Sequence, residues 1–256
     1  FWVPKYHWGS WNKILKIHHK DIQSFDEFDL SIFRPTRGVV MMCYPSNPTG
    51  WIPDMNELCD FVKHCSMNNI TVVLDLPYYH LFFSPSSISN LFLENVIVVS
   101  SFSKSIGLSG YRIGYIATLN KNLYRVLHIR SLYKYNSISN IPQYIINQII
   151  STSVGRIALS NYQDITKLDI SKNIRFLKEN NLLWKDYPSD PLGPFCIIDK
   201  EFNDLMSFNI SSVPLNKFTL TGDRCHHLSR ISVSVPNSDF VKYFDMVLGS
   251  VNASKL

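Results

Sequence analysis

Three short apolar runs constrain this chain most: Gly38-Val39-Val40-Met41-Met42-Cys43, Ile70-Thr71-Val72-Val73-Leu74 and Val96-Ile97-Val98-Val99-Ser100. Contiguous apolar runs of this length, bounded by turn residues, read as strands buried on both faces, the pattern of a parallel sheet covered by helices. A helix separates the first two. Pro53 and Asp54 open it, Met55, Leu58, Cys59, Val62 and Cys65 recur on one face, and Asn68-Asn69 end it. Strand, helix and strand in this order make a βαβ unit, hence a parallel pair. Ile113-Gly114-Tyr115-Ile116-Ala117 reads as a further strand, antiparallel being what its short connection favours.

Phe1 to Trp8 is aromatic-rich and reads as a strand end running into a loop; from there to Arg37 no clean period appears. Leu123 to Leu132 is a helix candidate. From Ile141 to about Trp184 the texture is helical, with a weak point at Ser151 to Gly155. Pro188 to Pro194 is a Pro/Gly-rich break. Strand-like runs at Phe195–Ile198 and Ile231–Val235, then an amphipathic helix from about Asp239 to Leu248, suggest a smaller α+β unit. The expected domains are 1–164, a large domain, and 165–256, a small C-terminal one.

With 256 residues, 45% of them hydrophobic, the chain can build a sizeable core. A net charge of +5 without a basic block gives no warrant for a nucleic-acid partner. Five cysteines without a CxxC pair, three in apolar periodic segments, favour reduced thiols and a cytoplasmic setting. His18-His19 and His226-His227 lack zinc-ligand spacing, so no metal is expected. No apolar run approaches a membrane span and no signal peptide is visible.

The chemistry-bearing residues follow the strands. Asn47 lies in Tyr44-Pro45-Ser46-Asn47-Pro48-Thr49-Gly50, Asp75 in Asp75-Leu76-Pro77-Tyr78, and Lys104 in Ser101-Phe102-Ser103-Lys104, with Arg112 after it. Taken singly, Asn-Pro is an ordinary turn opening, Asp75 a helix cap, and Lys104 a solvated loop lysine. Together they gather at the carboxyl edge of parallel strands, where open α/β sheets bind ligands. Lys104 could form an imine with an aldehyde, and Asp75 could hold a positive charge on a ring nitrogen. Asn47 and Tyr78 could hydrogen-bond a ring oxygen; Ser101, Ser103 and Arg112 could bind a phosphate. That set describes pyridoxal 5'-phosphate.

These segments, with Gly107-Leu108-Ser109-Gly110-Tyr111-Arg112, resemble the motifs of class I/II aminotransferases, in that family's order and near its spacing. The resemblance implies the pyridoxal-phosphate fold type I: a mostly parallel sheet between helices in a large domain, plus a smaller α+β domain. It implies a homodimer that moves an amino group between an amino acid and a 2-oxo acid. It makes Lys104 the cofactor lysine and Tyr6 the aromatic stacked on the cofactor ring. Arg230 becomes the arginine that grips the substrate α-carboxylate, with Asn47 beside it. Pro191-Leu192-Gly193-Pro194-Phe195 resembles the approach to the family's small domain. Roughly a hundred residues usually precede the Tyr6 position, carrying further phosphate donors, so the large domain is expected to be incomplete at its N-terminus. A pyridoxal-phosphate lyase, cyclase or amino-acid synthase, or a non-catalytic remnant or sensing module, are the alternatives. Tyr133, Tyr135 and His80 are equally readable as pocket lining, core or surface.

Overall fold

A computed structural model of the chain describes residues 1–83, 88–222 and 225–253, the side chains of 79, 80 and 250–253 excepted. The chain divides into two compact units. One holds Phe1–Val3, Phe25–Tyr44 and Pro53–Asp164; the other holds Pro4–Ser24, Pro45–Ile52 and Ile165–Leu256.

The sheet has the order β2-β1-β3-β4-β5-β6. Its strands are β1 (Trp2–Pro4), β2 (Gln23–Phe25), β3 (Val39–Cys43), β4 (Thr71–Asp75), β5 (Val96–Ser101) and β6 (Gly114–Thr118). β1, β3, β4 and β5 run parallel, and β6 pairs antiparallel with β5, ending the order. The two faces are unequal. Val40, Met42, Val72, Leu74, Val96 and Val98 are buried, while Met41, Val73 and Ile97 between them are half-buried.

The stretch before Arg37, unassigned from sequence, contains helix α1 (Ser10–Ile17) as well as β2. α1 buries Trp11 and Leu15, which with Ile14 recur at helical spacing over only two turns, too short a stretch to stand out among the mixed residues around it. In the first unit Phe33 stacks on Phe25 with ring centroids 4.2 Å apart, meets Trp2 edge-on at 5.3 Å, and lies 5.6 Å from Phe61. Phe61 belongs to α2 (Met55–Met67), which also buries Leu58, Val62 and Cys65. Asp54 caps α2 by accepting from the amides of Asn56 and Glu57, as the sequence suggested.

Helix α3 (Tyr79–Phe82) follows β4, and α4 (Phe102–Ser105) follows β5. Then come α5 (Lys121–Tyr135), α6 (Asn140–Ser151) and α7 (Ser153–Glu179). The expected weak point is Thr152. Its extended backbone breaks the helix, while its hydroxyl donates to the Gln148 carbonyl at 2.7 Å and accepts from the Gly155 amide at 3.0 Å. One threonine thus closes α6 and opens α7.

In the second unit, β7 (Phe195–Ile198), β8 (Ser212–Pro214) and β9 (Ser229–Ser232) form an antiparallel sheet of order β7-β9-β8. A short helix, α8 (Phe202–Ser207), precedes β8, and α9 (Asn237–Ala253) ends the described chain. Phe240 and Phe244 of α9 pack with Phe176 of α7. The strand expected at Ile231–Val235 begins and ends earlier. Ser229 pairs with Ile198 and Pro214, which sets the start; at the end, the buried Asn173 amide nitrogen donates to the Val233 and Val235 carbonyls at 3.0 and 2.9 Å, taking the place of a ladder partner. The shift sets Arg230 inside β9.

Candidate active site

In the first unit, the ends of β4 and β5 meet in register. Asp75 lies opposite Val99. The Leu76 amide donates to the Val99 carbonyl at 2.7 Å, and the buried Ser100 hydroxyl donates to the Leu76 carbonyl at 2.7 Å. Two hydrogen bonds therefore hold the two strand exits together. Asp75 carries a carboxyl that burial raises to a pKa of about 6. Among the described residues no side chain or amide is bonded to that carboxyl, so its charge, when present, is uncompensated by them. Tyr78, buried, leads into α3, which packs on α4.

α4 is the turn that carries Lys104. The Ser101 hydroxyl caps it, accepting from the Ser103 amide at 3.1 Å and donating to the Ile113 carbonyl at 3.4 Å. Lys104 is exposed, and its carbonyl accepts from the Tyr162 hydroxyl at 3.4 Å. Beneath the turn, Ile106, Ile113 and Ile146 form a small apolar cluster with Phe102 and Leu108 packed on it. That cluster fixes the position of an otherwise solvent-facing segment. Arg112 is exposed, adopts a left-handed backbone at φ 52°, and donates to the Ser109 carbonyl at 3.1 Å. The short turn Ser109–Tyr111 before it packs on α4. The first unit thus gathers Asp75, Tyr78, Ser101, Ser103, Lys104 and Arg112 around the exits of β4 and β5.

Asn47, Tyr6 and Arg230 fall in the second unit. The Asn47 turn closes on itself: the Gly50 amide donates to the Ser46 carbonyl at 2.7 Å, and the Ser46 amide to the Trp51 carbonyl at 2.9 Å. Gly50, at φ +69°, lies so close to the Phe195 carbonyl that a side chain there would overlap it. Arg230 donates to the Asn47 carboxamide oxygen at 3.3 Å. Its guanidinium lies 4.2 Å from the Phe195 ring centroid and 5.3 Å from that of Phe218. Tyr6 is buried, with its ring edge-on to Trp184 at 5.5 Å. Tyr133 and Tyr135 are exposed on α5, and the His80 side chain is outside the described residues.

The residues present fit pyridoxal phosphate. A half-buried, largely desolvated carboxylate with no counter-charge among the described residues is the partner a protonated ring nitrogen requires. Reading the sequence did not find Phe218 beside Arg230, nor Ser100 as the tie between strand exits, nor Tyr187. The Tyr187 hydroxyl donates to the Thr49 carbonyl at 2.6 Å and accepts from the Ile197 amide at 2.8 Å. Each acts through a contact distant in sequence, and Phe and Tyr are abundant here, so no local signal marks them. Among the described residues no group of three or more His, Cys, Asp or Glu is placed to hold a metal ion. None of the described helices is long and apolar enough to cross a membrane.

Comparison with known proteins agrees with this arrangement. Histidinol-phosphate aminotransferase of a Thermoanaerobacter species is 32% identical over 125 residues, covering 48% of this chain and 34% of that enzyme. Histidinol-phosphate aminotransferase 2 of Oceanobacillus iheyensis is 37% identical over 106 residues, 40% of this chain and 29% of that enzyme. The matched stretches therefore span about a third of those relatives' length. In fold, an aminotransferase from Mycobacterium tuberculosis superposes with a TM-score of 0.82 at 18% identity, covering 99% of this chain and 70% of that one. Thermus thermophilus aspartate aminotransferase (a tetra mutant) gives 0.79 at 17% identity, covering 95% and 71%. The family described as aminotransferase class I and II matches residues 1–180. With its mostly parallel sheet flanked by helices and its separate antiparallel sheet, this chain belongs to the class I and II aminotransferases.

Proposed function

We propose that the chain carries the pyridoxal-phosphate site of an enzyme that moves an amino group between an amino acid and a 2-oxo acid. The observation that carries this reading is Asp75: a half-buried carboxyl, largely desolvated and without a partner among the described residues, at a strand exit tied by hydrogen bonds to the exit leading to Lys104. When bound, pyridoxal phosphate supplies an aldehyde for amines and a ring that accepts the electron pair released at the substrate Cα.

The remaining work belongs to the chain. The Asp75 carboxylate holds a proton on the ring nitrogen, because low dielectric strengthens the pairing that burial leaves unmet. By the family resemblance, Tyr78 and Asn47 would hydrogen-bond the ring oxygen and Tyr6 would supply the aromatic against the ring. Ser101, Ser103 and Arg112 hold the phosphate; Ser101 can donate to it only by giving up its 3.4 Å bond to the Ile113 carbonyl. The Lys104 amine holds the cofactor, then takes the Cα proton as general base and returns it as general acid. Arg230 receives the substrate carboxylate as a bidentate pair, its plane set by Phe195 and the Asn47 carboxamide. The five cysteines are free, which suits a reducing compartment such as the cytoplasm. Val126, Ile129, Leu132, Ile141 and Tyr144 are exposed on α5 and α6, apolar surface that a second copy in a homodimer would cover.

Borohydride reduction of the protein incubated with pyridoxal phosphate tests the reading. The cofactor should become fixed to the peptide containing Lys104, and Lys104→Ala should abolish the labelling. Labelling spread over other lysines, unchanged in that variant, would overturn it.

A further inference from the structure

We infer that Tyr187 is a positioning residue for the Asn47–Arg230 pair, an inference that rests on reading that pair as the carboxylate grip. Tyr187 lies in the loop before β7, half-buried, well away in sequence from both members. Its hydroxyl makes two bonds of opposite sense. It accepts from the Ile197 amide at 2.8 Å, which leaves its own proton for the Thr49 carbonyl at 2.6 Å. Each end leads to one member of the pair. Thr49 belongs to the same closed turn as Asn47. Ile197 is the register partner of Arg230 across β7 and β9.

Both backbone groups are inaccessible: Thr49 and Ile197 are each 0% exposed. Without the phenol, a buried amide and a buried carbonyl lose the bond described here, and backbone shifts to regain partners become favourable. Such a shift would move the Asn47 turn relative to the strand that faces Arg230. The 3.3 Å bond between the two side chains has little slack to absorb it. The Tyr187 ring adds a second constraint. It meets Trp184 edge-on at 5.2 Å, and Trp184 meets Tyr6 edge-on at 5.5 Å. The one side chain therefore ties the turn, the strand and the aromatic packing behind Tyr6.

The test uses Tyr187→Phe, which keeps the ring and removes both bonds. Nitrogen-15 spectra of the Asn47 side-chain amide and the Arg230 guanidinium should shift or broaden, together with the Ile197 amide. Affinity for 2-oxoglutarate, used as a carboxylate probe, should fall about tenfold, the equivalent of about one hydrogen bond. In an Arg230→Ala background the same substitution should cost less than twofold. Unchanged Asn47 and Arg230 resonances would overturn the inference and leave Tyr187 as a local brace that lowers only the melting temperature. If Tyr187→Phe does not fold, site-specific 3-fluorotyrosine at 187 alters the phenol without removing it, and the same resonances must move. Should Arg230→Ala alone leave 2-oxoglutarate binding unchanged, the carboxylate reading fails. The resonances still decide whether Tyr187 positions the pair.

Discussion

Gly50→Ala should destabilise the chain by about 3–4 kcal/mol. Gly50 has φ +69°, where an L side chain costs about 1–2 kcal/mol. The added methyl would also overlap the Phe195 carbonyl oxygen and lie 3.4 Å from the Pro191 side chain. Relief requires the turn to move from the loop before β7. That loop donates two bonds to the Gly50 carbonyl, from Leu192 at 3.0 Å and Gly193 at 2.8 Å. Loosening both adds roughly 2 kcal/mol, at about 1 kcal/mol net for each. Gly222 is the internal control: it has the same φ of +69°, but nothing lies within 4 Å of the place its added methyl would take. Gly222→Ala should therefore cost only the backbone share, about 1–2 kcal/mol. Urea unfolding of both variants, with m-values equal to the parent's, reads the difference directly. Equal losses at the two glycines would refute the close approach of the Asn47 turn to β7.

Asp75→Asn should stabilise the cofactor-free chain at neutral pH. Burial raises the Asp75 pKa from 3.8 to about 6, so its stability contribution is full below about pH 4 and is lost as pH rises through 6. The variant should gain about 2–3 kcal/mol at pH 8 and nothing near pH 4; a loss at pH 8 would reveal a partner for the carboxylate. The same change should weaken pyridoxal phosphate binding, measured by equilibrium dialysis. Arg230→Ala should weaken carboxylate binding by about 2–5 kcal/mol, and Arg230→Lys should recover only part, since a lysine cannot reproduce the planar fork against Phe195. An equal loss for an amine without a carboxylate would assign Arg230 a structural role.

How much was legible in the sequence depended on whether the controlling contact was local. Asp54 caps α2 from one residue away, Thr152 breaks the helices by its own backbone and hydroxyl, and the short link from Lys104 to Ile113 forces β6 to turn back. Each was readable. β9 ends at Ser232 rather than at Val235, where Asn173, about sixty residues earlier, captures the Val233 and Val235 carbonyls, and it begins at Ser229 through pairing with Ile198 and Pro214. α1 was passed over although Trp11, Ile14 and Leu15 recur at helical spacing, because the period lasts only two turns within a stretch of mixed aromatic, basic and acidic residues. Within the site, Asp75 and Lys104 were marked by their positions after strands. The Asn47–Arg230 bond joins residues 183 apart, and only the family resemblance had brought them together. Phe218, Ser100 and Tyr187 carried no such mark.

The place of β6 at the end of the strand order has a consequence on the clock of isotope exchange. In an antiparallel strand, alternate amides point away from the neighbour. Between Gly114 and Thr118 one set of amides is shielded by β5, while the outward set has no described strand beside it. In heavy water the strand should therefore show two populations of amide, one slow and one fast, within five consecutive residues. Any chain segment that later paired with that edge would convert the fast set to slow and leave the other unchanged. That alternating signature would report strand addition beside the Lys104 segment without any measurement of activity.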